Sequence, residues 1–164
     1  MRQKDAHSHT GQPIQVGPYT IYVAGAMHLD PDILSEFDVL IPLTEQLPPL
    51  GIGNFFLVLS AQLPDFGGVP DDWVEFLCGR VIPLLARCHQ TGERVLCFCT
   101  AGHGRTGTLL ASLIAILETE EETPDPIAAV RERHCHHAVE TMAQAEGIFS
   151  LRGREVPSQY LNLR

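Results

Sequence analysis

Seven consecutive residues, Cys99-Thr100-Ala101-Gly102-His103-Gly104-Arg105, bring a thiol, two glycines and a guanidinium close together in the chain. A cysteine attacks as its thiolate, so it needs an electropositive setting near neutral pH. Gly102 and Gly104 permit backbone angles that turn successive N–H groups toward one centre. A helix starting near Thr106 adds the positive end of its dipole. Arg105 offers a planar fork that matches two oxygens of a tetrahedral anion. Thr106 can donate its hydroxyl to the Cys99 sulfur and ease its departure as a leaving group. Together these residues suit the transfer of a phosphoryl group to sulfur. The loop is not that of a nucleoside-triphosphate binder, because the Gly-Lys-Ser/Thr ending is absent.

Such chemistry also needs a proton donor for the leaving oxygen. No spacing rule singles out that donor; Asp65 lies in Leu63-Pro64-Asp65-Phe66-Gly67-Gly68-Val69-Pro70, 34 residues before Cys99. An aspartate in a Pro-Gly turn is common by itself. The prolines and glycines around it suit a hinged lid.

The elements that would position these residues alternate between strand and helix. Tyr19 to Ala24 is β-branched and aromatic and reads as a strand. Asp30 to Phe37 reads as a short helix capped by Asp30 with Pro31 in its first turn. Asp38 to Ile41 reads as a second strand, and Phe55 to Leu59 as a strand covered on both faces. Asp71 and Asp72 can cap a helix running to about Cys88, kinked at Pro83. Arg94 to Phe98 reads as the strand feeding the glycine loop, and a helix from about Thr106 to Thr119 follows. The acidic run Glu118 to Glu122 opposes that helix's dipole and ends it. Pro124 and Pro126 open a further helix to Arg133, and Ala138 to Glu146 a last one closed by Gly147. This order predicts an α/β fold with a central, mostly parallel sheet and helices on both faces. Residues 1–15 read as a flexible lead-in, and residues 16–164 as one domain.

The bulk properties bound the function. The chain has 164 residues, 45% of them hydrophobic, enough for one sizeable core. No apolar run approaches membrane-spanning length, which gives no expectation of membrane contact. The first residues lack the apolar stretch of a secretory signal, and five cysteines are an odd number for a disulfide framework. A reducing, cytoplasmic setting is the resulting expectation. The formal net charge of −9 disfavours broad contact with nucleic acid. It does not oppose a small phosphate site built from amides and one arginine.

Cys99 through Gly107, in this strand-loop-helix setting, resembles the cysteine-dependent protein tyrosine and dual-specificity phosphatase superfamily. That loop is a cysteine, five residues, an arginine, then serine or threonine and usually glycine. Leu63 to Pro70 is similar to the family's general-acid loop, with leucine in place of its leading tryptophan. The resemblance runs from about Tyr19 to Phe149, and the short chain points to the dual-specificity branch. It implies a compact dual-specificity-phosphatase-like domain that needs neither metal nor cofactor. It implies hydrolysis of phosphotyrosine, and of phosphoserine or phosphothreonine, in proteins through a cysteinyl-phosphate, or of a small phosphomonoester. Cys99 would be the nucleophile, Arg105 and the amides of Thr100, Ala101, Gly102, His103 and Gly104 the phosphate cradle, and Asp65 the acid. Gln144 lies in Ala138-Val139-Glu140-Thr141-Met142-Ala143-Gln144, similar to a late family segment; it either approaches the hydrolytic water or is a surface glutamine. One departure stands out: where the family places histidine before the nucleophile, this chain has Phe98.

Other candidates are weaker. His103 is expected to point to the pocket mouth. Thr100 and His103 give the loop little of the positive charge that phosphoinositide-directed members carry there. Arg131 and Arg133 can rim the pocket. His134-Cys135-His136-His137 reads as a polar helix junction, because adjacent residues rarely converge on one ion, and His7 and His9 are weak pointers to a metal. Cys78, Cys88 and Cys97 read as small buried hydrophobes, with a protective disulfide to Cys99 as the alternative. Three readings compete: an active phosphatase on protein or on non-protein substrates such as phosphoinositides or RNA 5′-phosphates, a phosphate-binding adaptor that has lost turnover, and a rhodanese-like sulfur transferase. Arg105 and Asp65 favour the first.

Overall fold

The computed structural model describes residues 8–51 and 56–164. Five strands form one sheet: β1 (Thr10–Val16), β2 (Tyr19–Gly25), β3 (Val39–Pro42), β4 (Leu57–Val58) and β5 (Val95–Cys99). Their order is β1-β2-β5-β3-β4, with β1 antiparallel to β2 and every other pair parallel. The central strand β5 is buried along its length and ends at Cys99. The α/β expectation with a mostly parallel sheet therefore holds.

Side chains of β5 divide by the strand's twofold alternation. Val95, Cys97 and Cys99 face the main core, while Leu96 and Phe98 face a smaller cluster with Ala24, Leu29, Leu34, Phe37 and Leu40. Helices cover both faces unequally. The main core is closed by α2 (Trp73–Phe76), α3 (Ile82–Thr91), α4 (Gly104–Leu117), α5 (Pro126–Arg133) and α6 (Met142–Ser150). Among the described residues, the other face is covered by α1 (Pro31–Leu34) and the helical turn before it, with Leu50 and Phe56 packed alongside.

Several expectations change. The lead-in predicted to reach Gln15 is a strand from Thr10 onward, because Ile14 and Val16 bury on the core face of β2; His7 lies outside the described residues. The predicted strand Phe55–Leu59 is reduced to the two-residue β4 at the sheet's edge, where Leu57 and Val58 are exposed rather than covered; Phe55 lies outside the described residues. The helix expected to run to Cys88 is divided: a π-helical stretch, Leu77–Val81, joins α2 to α3, and Pro83 stands in the first turn of α3, where its missing N–H costs no helical bond. The last helix starts at Met142, not Ala138. A capping box sets that start: Gln144 N donates to Thr141 Oγ1, and Thr141 N to Gln144 Oε1.

The acidic run does end α4. Glu118 accepts from Gly17 N at 3.0 Å and from Arg133 Nη1 at 2.6 Å, and also from the Thr123 hydroxyl. These contacts join the β1–β2 turn to α4 and α5. The Arg133 hydrogen bond, aided by Thr123 and Gly17 and opposed by burial, lowers the Glu118 carboxyl to about 2 from 4.5. Its contribution is complete above the unfolded value and lost as pH falls from about 4.5 toward about 2. Glu118→Gln is expected to cost about 2 kcal/mol at neutral pH. Urea unfolding across that acid window should then show a flatter pH dependence than wild type.

Candidate active site

The loop after β5 turns tightly. Gly102 sits in the left-handed region at φ 82, with Ala24 O so close that a Cβ would lie 2.9 Å from it. α4 begins at Gly104, and Gly107 N donates to His103 O at 2.7 Å. The helix start is thus aimed at the space beside the Cys99 sulfur.

The predicted partners of Cys99 come together. Thr106 Oγ1 donates to Cys99 Sγ at 3.1 Å. Arg105 is 8% exposed; its Nη2 donates to Thr100 Oγ1 at 3.0 Å, and its Nε lies 3.5 Å from Asp65 Oδ1. Asp65 is more than half exposed. Asp65, Thr100 and Arg105 share a cavity of about 500 Å³ with Thr44, Glu45, Gln46, Gln62, Leu63 and Pro64. Burial, and then the charge of Cys99, raise the Cys97 thiol well above its ordinary value. All five cysteines are free, with Cys78 exposed and the other four buried.

The Asp65 loop is held from two sides. Leu63 N donates to Leu43 O at 3.2 Å, and Val69 packs into α6 at Gly147. A Cβ on Gly147 would sit 2.6 Å from Val69 Cγ2. Gly147, expected to close the last helix, is buried inside it and lets Val69 pack against it. The residue after Asp65, Phe66, has φ 54 and is exposed.

Gln144 is not a surface residue: it is 1% exposed. Its Oε1 accepts from Glu140 N at 2.8 Å, and its Nε2 lies beside Gly104. The Glu140 carboxylate packs over the same glycine, so a Cβ there would displace it. Burial, and next the charge of Asp65, raise the Glu140 carboxyl above its ordinary value, against Arg164 and Arg105. Glu140 was missed in the sequence; its only signal was membership of the same segment as Gln144. Val139 before it has φ 64, a strained value for a β-branched residue. Arg131 holds that turn by donating to Ala138 O and Val139 O, both at 2.9 Å.

Two placements differ from expectation. Arg131 and Arg133 do not rim the cavity, since the first braces the Val139 turn and the second pairs with Glu118. His103 turns away from the cavity toward His9, His137 and Cys135. Phe98 lies on the opposite sheet face from Cys99, fully buried among apolar side chains.

No family model matches the chain. An uncharacterized protein of Methanocaldococcus jannaschii, MJECL20, is 46% identical over 57 residues, which are 35% of this chain and 36% of that protein. The chain thus matches about a third of that relative's length. Among solved structures, Tk-PTP in its active form superposes with a TM-score of 0.62 at 22% identity, covering 87% of this chain and 97% of that one. A mouse putative dual-specificity phosphatase complexed with zinc tungstate gives 0.62 at 13% identity, covering 92% and 91%. The chain has the fold of the protein tyrosine and dual-specificity phosphatases.

Proposed function

We propose that this protein is a cysteine-dependent phosphomonoesterase acting on phosphotyrosine, and on phosphoserine or phosphothreonine, in proteins. The observation that carries the reading is that Arg105, which lines one cavity with Asp65 and Thr100, stands in the same loop as Cys99, whose sulfur accepts from the Thr106 hydroxyl. The Cys99 sulfur attacks phosphorus in line with the leaving oxygen, while the Arg105 fork and the amides of the loop hold the three equatorial oxygens. To do so Arg105 turns its donors from Asp65 to the phosphoryl group. Asp65, protonated, gives its proton to the leaving oxygen, and a thiophosphate ester remains on Cys99. Water then attacks phosphorus, Asp65 takes its proton, and sulfur departs as thiolate, stabilised by the Thr106 hydroxyl. The Gln144 Nε2 beside Gly104 is positioned to orient that water.

Cavity charge bears on substrate class. Among the lining residues Arg105 is the sole cation, facing Glu45 and Asp65. One dianionic phosphate fits this balance. A multiply phosphorylated headgroup or an RNA end would bring further negative charge against Glu45. Phe98 supports the second reading, a phosphate-binding protein of low turnover, because its ring offers no hydrogen bond to the loop.

The test is hydrolysis of a small aryl phosphate by wild type and Cys99→Ser, in EDTA. Wild type should turn over and Cys99→Ser should be reduced to background. Oxyanion binding by wild type without any turnover would favour the adaptor reading.

A further inference from the structure

We propose that His9, His103 and Cys135 form a zinc site that staples the N-terminal segment and the α5–α6 connection to the phosphate loop. One ring nitrogen of each histidine and the Cys135 sulfur lie within 4.8 Å of one another. The Cys135 Sγ to His103 Nδ1 distance is already 3.4 Å. Tetrahedral zinc spaces such ligand atoms by roughly 3.3–3.6 Å, so His9 needs to approach by about 1 Å. Two imidazoles and a thiolate are zinc's own donor types. The His134–His137 tract, expected to be a polar helix junction, contributes Cys135 alone to this group. The ligands here come instead from three segments.

The site is built on anchored backbone. His9 and Cys135 are buried at 6% and 8% exposure. His9 O accepts from Gly25 N at 2.9 Å, which fixes the segment before β1 to the end of β2. Gly102 O lies 2.7 Å from His134 Nε2, which fixes the residue before Cys135 to the phosphate loop. Rings of His134 and His137 pack around the ligands, 4.4 Å from His9 and 5.3 Å from His103 respectively. With three protein ligands the fourth position is open to water. On binding, the Cys135 thiol passes its proton to solvent as the sulfur–zinc bond forms. Occupancy would hold His103, and with it the Gly102–Gly104 turn, from outside the cavity. The site does not depend on the phosphatase reading.

The test is titration of dialysed, metal-free full-length protein with zinc by calorimetry and with cobalt(II) by absorption. Wild type should take one equivalent and show the thiolate-to-cobalt charge-transfer band of a tetrahedral site. Cys135→Ser should abolish the band and weaken zinc binding on the order of 100-fold, and His9→Ala should weaken it at least about tenfold. Cys99→Ser should keep both the band and the affinity. Equal thermal unfolding temperatures of all four metal-free proteins establish that no variant has lost its fold. His9→Ala carries the test should Cys135→Ser fail to fold. No band in wild type, full affinity in His9→Ala, or loss of the band in Cys99→Ser would each overturn the proposal. The second of these would assign the metal to the His134–His137 tract, and the third to the nucleophile.

Discussion

Arg105→Lys is expected to lower kcat/KM for aryl phosphates on the order of 10³-fold, with the fold and unfolding temperature little changed. A lysine keeps the charge but not the fork. It presents a point charge to a phosphoryl group that needs two parallel donors held in a plane. The replacement also removes the present contacts of Arg105 to Thr100 and Asp65. Those contacts keep the guanidinium at the cavity wall while the rest of the side chain is buried. Steady-state kinetics with binding of an oxyanion such as vanadate checks the assignment. Both should weaken, since the same fork holds ground state and transition state. A loss within tenfold would mean that backbone amides alone hold the phosphoryl group.

Asp65→Asn is expected to reduce kcat/KM by roughly 10²–10³-fold on esters with poor leaving groups, and far less on activated ones. An amide cannot donate the proton that a poor leaving oxygen requires, whereas an activated oxygen departs without it. The carboxyl is solvent-facing and lies 3.5 Å from the Arg105 Nε. A series of aryl phosphates of graded leaving-group pKa reads this directly. The slope should steepen in the variant. Parallel losses across the series would remove the acid role and leave Asp65 as a positioning partner of Arg105.

Much of this site was legible in the sequence because its chemistry is local. Cys99 to Arg105 requires only a strand before it and a helix after it, and both follow from short-range pattern. Asp65 stood out only through the likeness of its loop to the family's acid loop, and no local rule encodes the contact of Val69 with Gly147 that packs this loop on α6. Gly147 looked like a helix end because glycine usually is one. In the fold it is small so that the lid can pack there. The start of α6 had a better signal in Thr141 and Gln144, whose capping-box spacing was passed over. β1 was hidden by Gly11 and Pro13, residues that argue against a strand. They are tolerated because β1 is an edge strand, with a bulge between Thr10 and Gln12. The run at Phe55 misled in the opposite direction: an apolar sequence was read as interior, whereas Leu57 and Val58 lie exposed at the other edge. His9, His103 and Cys135 could not have been grouped beforehand, because only the folded chain brings three distant segments together.

The step that defines the proposed chemistry is the bond between phosphorus and the Cys99 sulfur. Acid quenching of the Asp65→Asn protein during turnover of an activated aryl phosphate should trap it, since loss of the base slows the second half of the reaction. Peptide mass mapping is expected to find one phosphoryl group, on the peptide carrying Cys99. Turnover with no such adduct, or with the phosphoryl group on another residue, would contradict it.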